Sequence, residues 1–190
     1  MISAILLAAG QSKRMEGENK LIKNFQGVPL IKHAVKNILD SSIEELIIVL
    51  GYQKEIVEKI FDKNSKIKIV FNKNYENGIA SSIKIGINNL SKKTEAFFIC
   101  LGDMPMINKD VYNLLISYRA KKEIIVPTFK GQQGNPVLFS KSIKNEIMKV
   151  EGDLGAKKIL ELNKNKLLNV AINNEKLCID FNTKESFLNE

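Results

Sequence analysis

Histidine is almost absent from this 190-residue chain, with His33 the only one. A Cys/His zinc centre and a nucleophile activated by a histidine base are both poorly supported for that reason. Cysteine is nearly as scarce. Cys100 and Cys178 each stand at the end of an apolar run, so the expectation is a pair of reduced thiols in a cytoplasmic protein, not a disulfide framework. No apolar run reaches the length of a membrane span. The opening one is about seven residues long and no basic region precedes it, so neither a transmembrane helix nor a signal peptide is expected. Linkers rich in proline and serine, internal repeats and low-complexity tracts are missing as well. At 44% hydrophobic and 26% charged residues, the composition is that of a soluble globular chain, read as a single domain over 1–190.

Charge is present in excess of one sign. Twenty-nine Lys and Arg against 21 Asp and Glu give a net +8. Such a balance suits acidic or phosphorylated ligands. The lysines are spread along the whole chain and not gathered in a stripe with interleaved aromatics, so no nucleic-acid partner is expected.

Apolar runs alternate with helical periodicity from the first residue on. Residues 1–8, 45–50, 67–71, 96–101 and 123–127 read as strands. Between them, helices are predicted on the stripes Leu30, Ile31, Ala34, Val35, Ile38; Ile56, Val57, Ile60, Phe61; Ile79, Ile83, Ile87, Leu90; and Val111, Leu114, Leu115, Tyr118. Asn108 is placed to cap the last of these. Continuous apolar strands joined by helices predict a doubly wound, mostly parallel α/β sheet. Past residue 127 the alternation loosens. A turn-rich segment at 131–136 precedes a short run at 137–139, Gly152 and Asp153 open a further helix, and strands are expected at 167–172 and 177–180. This half reads as an extension that completes a ligand cleft. In such a sheet ligands bind beyond the carboxyl ends of the strands. Four loops there carry chemistry: 8–20, 72–82, 101–106 and 180–183.

The first of them leaves the opening strand through Leu7, Ala8, Ala9 and Gly10, small enough for a ligand to approach the backbone, and continues to the cations Arg14 and Lys20. A buried strand emptying into such a loop is one way to hold phosphate; an exposed connection is the other reading. The loop matches neither Gly-x-x-x-x-Gly-Lys-Ser/Thr nor G-x-G-x-x-G. Asp103, between Gly102 and Pro105, can hold Mg²⁺ against phosphate oxygens or bond its own turn. Gly78, Ser81 and Ser82 open a helix where hydroxyls serve either a nucleotide or the local backbone. Asp180 and Asn182 are metal ligands or, for Asn182, a helix cap.

Taken in order, these motifs carry a resemblance over essentially the whole chain. Leu6-Leu-Ala-Ala-Gly10-x-Ser12-x-Arg14-Met15, Asn19-Lys20-Leu21, Gly78-x-x-Ser81-Ser82, Leu101-Gly-Asp103-Met-Pro105, Gly134-Asn135-Pro136-Val137, Gly152-Asp153-x-Gly155-Ala156 and Asp180-x-Asn182-Thr183 resemble the molybdenum cofactor nucleotidyltransferases, within the wider nucleoside-triphosphate transferase fold. Ala9 and Asn19 are more similar to the cytidylyl branch than to the guanylyl branch, which usually shows Gly and Asp there. The resemblance implies a Mg-dependent transfer of CMP from CTP to the terminal phosphate of molybdopterin, or of its metal-loaded form, with release of pyrophosphate. It places nucleotide contacts on Leu7, Ala8, Ala9, Gly10, Arg14, Lys20, Gly78, Ser81, Ser82 and Asp103. Arg14, Lys20 and Asp103 take catalytic roles, and Asp103 and Asn182 hold the metal. Gly134, Asn135, Pro136, Gly152 and Asp153 shape the pterin side, and a recipient molybdoenzyme is an implied partner. Glu16 lengthens the first loop by one residue, Asn182 stands where the cytidylyl branch usually has Asp, and Lys184 where it has Pro. Two other readings remain open: the same transfer with GTP or another phosphorylated acceptor, and a non-catalytic carrier of the cofactor.

Overall fold

The computed structural model describes residues 1–12, 19–152 and 155–179. Arg14, Glu16, Asp153, Asp180, Asn182 and Lys184 lie outside them. Among the described residues, eight strands join one sheet. In chain order its elements are β1 (Ile2–Ala8), α1 (Leu30–Leu39), β4 (Glu45–Leu50), α2 (Lys54–Glu58), β5 (Ile67–Phe71), α3 (Ile79–Asn88), β6 (Ala96–Leu101), α4 (Lys109–Ser117), β7 (Ile124–Phe129), β8 (Gln132–Gln133), β9 (Val137–Ser140), α5 (Lys144–Ile147), α6 (Gly155–Leu162) and β10 (Leu167–Ala171). A separate small hairpin, β2 (Asn24–Phe25) with β3 (Val28–Pro29), precedes α1.

The sheet order is β10-β7-β9-β6-β1-β4-β5, with β8 on β7. β1 lies parallel between β4 and β6, in register Leu7 with Val49 on one side and with Leu101 on the other. All seven residues of β1 are buried. Alternation sends Ala4, Leu6 and Ala8 into the layer with α1 and α4, and Ile5 and Leu7 into the layer with α3. That two-sided burial is why the strand reads as a continuous apolar run. Asn108 caps α4 as expected, its side chain accepting from the N–H of Val111.

One strand departs from parallel. β9 runs antiparallel between β6 and β7. Thr128 to Gln133 form a tight hairpin through Lys130 and Gly131, both at positive φ, and the chain then returns into the sheet. A connection this short cannot make the crossover that a parallel strand needs. A second departure concerns the expected strand at 177–180. Residues Glu175–Cys178 instead form a 3₁₀ turn capped by Asn174, whose side chain accepts from the N–H of Lys176. Leu177 on that turn is fully buried, so the apolar residues there plug the core and pair with no strand. No helix among the described residues is long and apolar enough to cross a membrane.

Candidate active site

Parallel strands in sequence step from β1 to β4 on one side and to β6 on the other. The carboxyl ends of β1 and β6 therefore flank the point where the winding reverses, where α/β sheets bind ligands. A cavity of about 490 Å³ opens there. Its walls come from the end of β1 and the loop after it (Leu7, Ala8, Ala9, Gly10, Gln11, Ser12), from Lys20 and Leu21, from the 75–79 segment, from Ser82, and from Leu101 and Asp103. Three of the four marked loops thus meet, and the fourth, 180–183, lies outside the described residues.

The first loop is held at both ends. Ser12, at φ 51°, accepts the backbone N–H of Lys20 through its hydroxyl at 3.2 Å. Asn19 caps the 3₁₀ turn Lys20–Ile22, its Oδ1 taking the N–H of Leu21 at 3.1 Å. Asn19 is only 1% exposed. Together these fix the Cα of Lys20, and its ammonium donates to Oδ2 of Asp103. Both side chains are mostly buried, 16% and 14% exposed, at the cavity wall. A carboxylate and an ammonium brought together there are chemically able to serve as a cation ligand and a counter-charge for an anion. No group of three or more His, Cys, Asp or Glu able to hold a metal exists among the described residues.

Opposite them, Gly78 sits at φ 90° and ψ 171°, a conformation that disfavours any side chain, and starts α3 with no side-chain cap. Ser82 lines the cavity; Ser81 does not. The Ser81 hydroxyl points to the backbone oxygens of Gly78 (2.8 Å) and Asn74 (3.1 Å). Asn72, buried at the end of β5, reaches both serines. Gln11 and Glu76 join across the mouth, Nε2 donating to Oε1 at 3.0 Å. Asn72, Gln11, Tyr75 and Glu76 were not among the sequence candidates. Asn72 had a readable signal, the first amide directly after a strand.

The remaining candidates fall elsewhere. Gly134 donates its N–H to Pro127, Asn135 donates to the carbonyl of Leu177, and the Asn135–Pro136 bond is cis. A Cβ at 134 would lie 2.5 Å from that same carbonyl oxygen, so this segment docks on the 175–178 turn and does not line the cavity. Gly152 is exposed and also outside it. The single histidine is structural: His33 Nε2 bonds the carbonyl oxygen of Phe25 at 2.8 Å and its ring meets Phe25 edge-on. Cys100 is buried between β6 and α4, where burial pushes its thiol up to about 12 against a smaller opposing effect of its hydrogen bond with Tyr112. It is an inert thiol, not a nucleophile. Neither the histidine nor Cys100 lines this cavity.

Residues 4–170 match the MobA-like NTP transferase domain. The molybdenum cofactor cytidylyltransferase of Escherichia coli K12 is 27% identical over 187 residues, 98% of this chain and 94% of that protein. A probable molybdenum cofactor guanylyltransferase of Methanosarcina mazei is 27% identical over 153 residues, 77% of this chain and 67% of its own length. Among solved structures, that of Rv0371c from Mycobacterium tuberculosis H37Rv superposes with a TM-score of 0.87 at 21% identity, covering 98% of this chain and 95% of that one. A manganese complex of the same protein gives 0.83 at 18% identity, covering 98% and 96%. With seven-eighths of its length inside the match and the cavity at the winding reversal, the chain belongs to the MobA-like NTP transferase domain family and is a nucleotidyltransferase.

Proposed function

We propose that this enzyme, read as one domain over its whole length, transfers CMP from CTP to the terminal phosphate of molybdopterin or its metal-loaded form. A phosphate oxygen of the pterin forms the new bond to the α-phosphorus, the bond from that phosphorus to the β-phosphate bridging oxygen breaks, and pyrophosphate leaves. The observation that carries the reading is the cavity itself. One space of about 490 Å³ collects the β1 loop, the start of α3 and the Lys20–Asp103 pair, within the roughly 300–1,000 Å³ usual for small-molecule sites. The cytidylyl reading draws support from Ala9 and Asn19 and from the cytidylyltransferase relative that spans nearly all of the chain.

Leu7, Ala8, Ala9 and Gly10 form the floor on which the nucleotide lies, and Gly78 and Ser82 face it. Lys20 neutralises the triphosphate and the leaving pyrophosphate. Arg14, outside the described residues, is assigned to the same task by resemblance. Asp103 fits a Mg²⁺ ligand: Oδ2 is taken by Lys20, Oδ1 has no partner among the described residues, and the cavity leaves room for the waters and phosphates that Mg²⁺ retains. Asn182 is assigned as its second ligand by the same resemblance. Bound there, Mg²⁺ supplies charge neutralisation at the phosphate oxygens. The protein contributes position: Asn19 and Ser12 hold Lys20 in place before substrate arrives, so little reorganisation is left for the reaction.

The test is a panel of the four ribonucleoside triphosphates with purified molybdopterin, read as pyrophosphate and dinucleotide product. CTP is expected to lead GTP by about tenfold or more in kcat/KM. Asp103→Ala is expected to lose about hundredfold or more of turnover. A preference for GTP would move the enzyme to the guanylyl branch, and no pyrophosphate with any triphosphate would overturn the reading.

A further inference from the structure

We infer that Asn72 is a positioning residue that commits the Ser82 hydroxyl to donating into the nucleotide cavity; this rests on the nucleotide-binding reading above. Asn72 follows β5, is 2% exposed and does not line the cavity. Its Oδ1 accepts the backbone N–H of Asn74 at 2.9 Å. That bond settles which end of the amide is oxygen, so both contacts on the other side come from the amino group. Nδ2 donates one proton to Ser81 Oγ at 2.7 Å and the other to Ser82 Oγ at 2.9 Å. Both amino protons are spent, and both hydroxyls must receive.

The two serines differ in where their own protons go. Ser81 has acceptors in the backbone oxygens of Gly78 and Asn74. Ser82 has none among the described residues, is 4% exposed, and forms part of the cavity wall. A hydroxyl that accepts from a buried amide on one side and finds no protein acceptor on the other presents its proton to the ligand. The site therefore selects a ligand atom that accepts a hydrogen bond at that point, such as a carbonyl oxygen or ring nitrogen of the nucleotide. It disfavours a donor there, because the second lone pair of Ser82 Oγ could receive it only by turning the hydroxyl proton away, where no acceptor stands among the described residues.

The amide-to-acid exchange N72D tests this with almost no change of shape. A carboxylate can still take the Asn74 N–H but only accepts, so both serine hydroxyls turn their protons towards it and Ser82 offers a lone pair to the ligand. Affinity for whichever triphosphate the wild type binds tightest is measured by calorimetry for the wild type, N72D, S82A and the double variant. S82A is expected to weaken binding about tenfold and N72D about thirtyfold, as an unmade hydrogen bond against an opposed one. The double variant is expected to return to the level of S82A alone. Recovery on removing a second side chain is something general damage to the fold cannot produce. In turnover, the loss is expected in KM with kcat within about threefold, since the contact is the same in ground and transition states. Should N72D fail to fold by circular dichroism, N72S, which cannot donate to both serines, replaces it, with a loss in KM no larger than that of S82A and none beyond it in the double variant. Binding of N72D within twofold of wild type, or losses that multiply in the double variant, overturn the inference alone. No triphosphate binding by the wild type overturns the nucleotide reading and this inference with it.

Discussion

Replacing Lys20 with methionine has opposite consequences for the two components of a metal–nucleotide complex, and the sign separates the roles assigned to this residue. In the ligand-free protein the ammonium sits on Oδ2 of Asp103, the carboxylate proposed to hold the cation. A divalent ion arriving alone meets a unit positive charge about 4 Å away, a repulsion of about 8 kcal/mol at an effective dielectric of 20 and about 2 kcal/mol in bulk water. The pair is 14–16% exposed and lysine can swing away, so the lower figure governs, and it corresponds to about thirtyfold in affinity. K20M is therefore expected to tighten binding of free Mn²⁺ about thirtyfold, followed by electron paramagnetic resonance without nucleotide. The same substitution is expected to weaken CTP binding about tenfold or more, because a counter-charge for the triphosphate is gone. Methionine keeps the length of the side chain, so the fold is retained. Its loss of the ion pair is expected to lower stability by about 1–2 kcal/mol, less than the 3–5 kcal/mol of a fully buried pair. Equal Mn²⁺ affinity for K20M and wild type, within threefold, would refute the reasoning, for it would mean that Lys20 does not guard the carboxylate.

Two further outcomes follow from packing and burial. Gly86 lies in the last turn of α3 against β1, where an added Cβ would come within 2.3 Å of Ile5 Cγ2. Alanine gains about 1 kcal/mol of helix propensity there but overpacks the core by about 1–3 kcal/mol, so urea denaturation is expected to show Gly86→Ala less stable than wild type. An increase in stability would mean that α3 can lift off β1 freely. For Cys100, burial holds the thiol protonated to about 12, whereas in the unfolded chain it ionises near 9. A group raised in the folded state contributes stability that is complete below pH 9 and is lost as pH rises from 9 to 12. Tyr112, also raised by burial, acts with the same sign. Thermal midpoints are expected to fall progressively over that window and less steeply in Cys100→Ala; identical slopes for the two proteins would count against the buried thiol as a source.

The alternation of apolar runs with helical stripes determined the α/β class, because each parallel strand buried on both faces must be apolar throughout, and each covering helix must be apolar on one side. The same local logic marked the small residues after β1 and the Asp after β6, since loops at the carboxyl ends of such strands face one side of the sheet. Four pieces were not local and only the tertiary structure decided them. β9 enters antiparallel between β6 and β7 because its connection is too short for a crossover, a matter of chain reach and not of its own composition. Leu177 and Cys178 have the apolar character of a strand, yet the core takes up the Leu177 side chain completely, and the two residues close a 3₁₀ turn over it instead. Gly134, Asn135 and Pro136 carry a motif that reads as part of a ligand surface, and only the fold shows this segment seated on that turn, with the Asn135 N–H donating to the carbonyl of Leu177 and no room for a Cβ at 134. Lys20 and Asp103 stand 83 positions apart, and Asn72 stands ten from Ser82 across a loop. Spacing along a chain does not encode which side chains meet across a cavity. The sequence thus specified the strands and the chemistry at their ends; folding around β1 specified which charges face each other and which hydroxyl keeps a proton for a ligand.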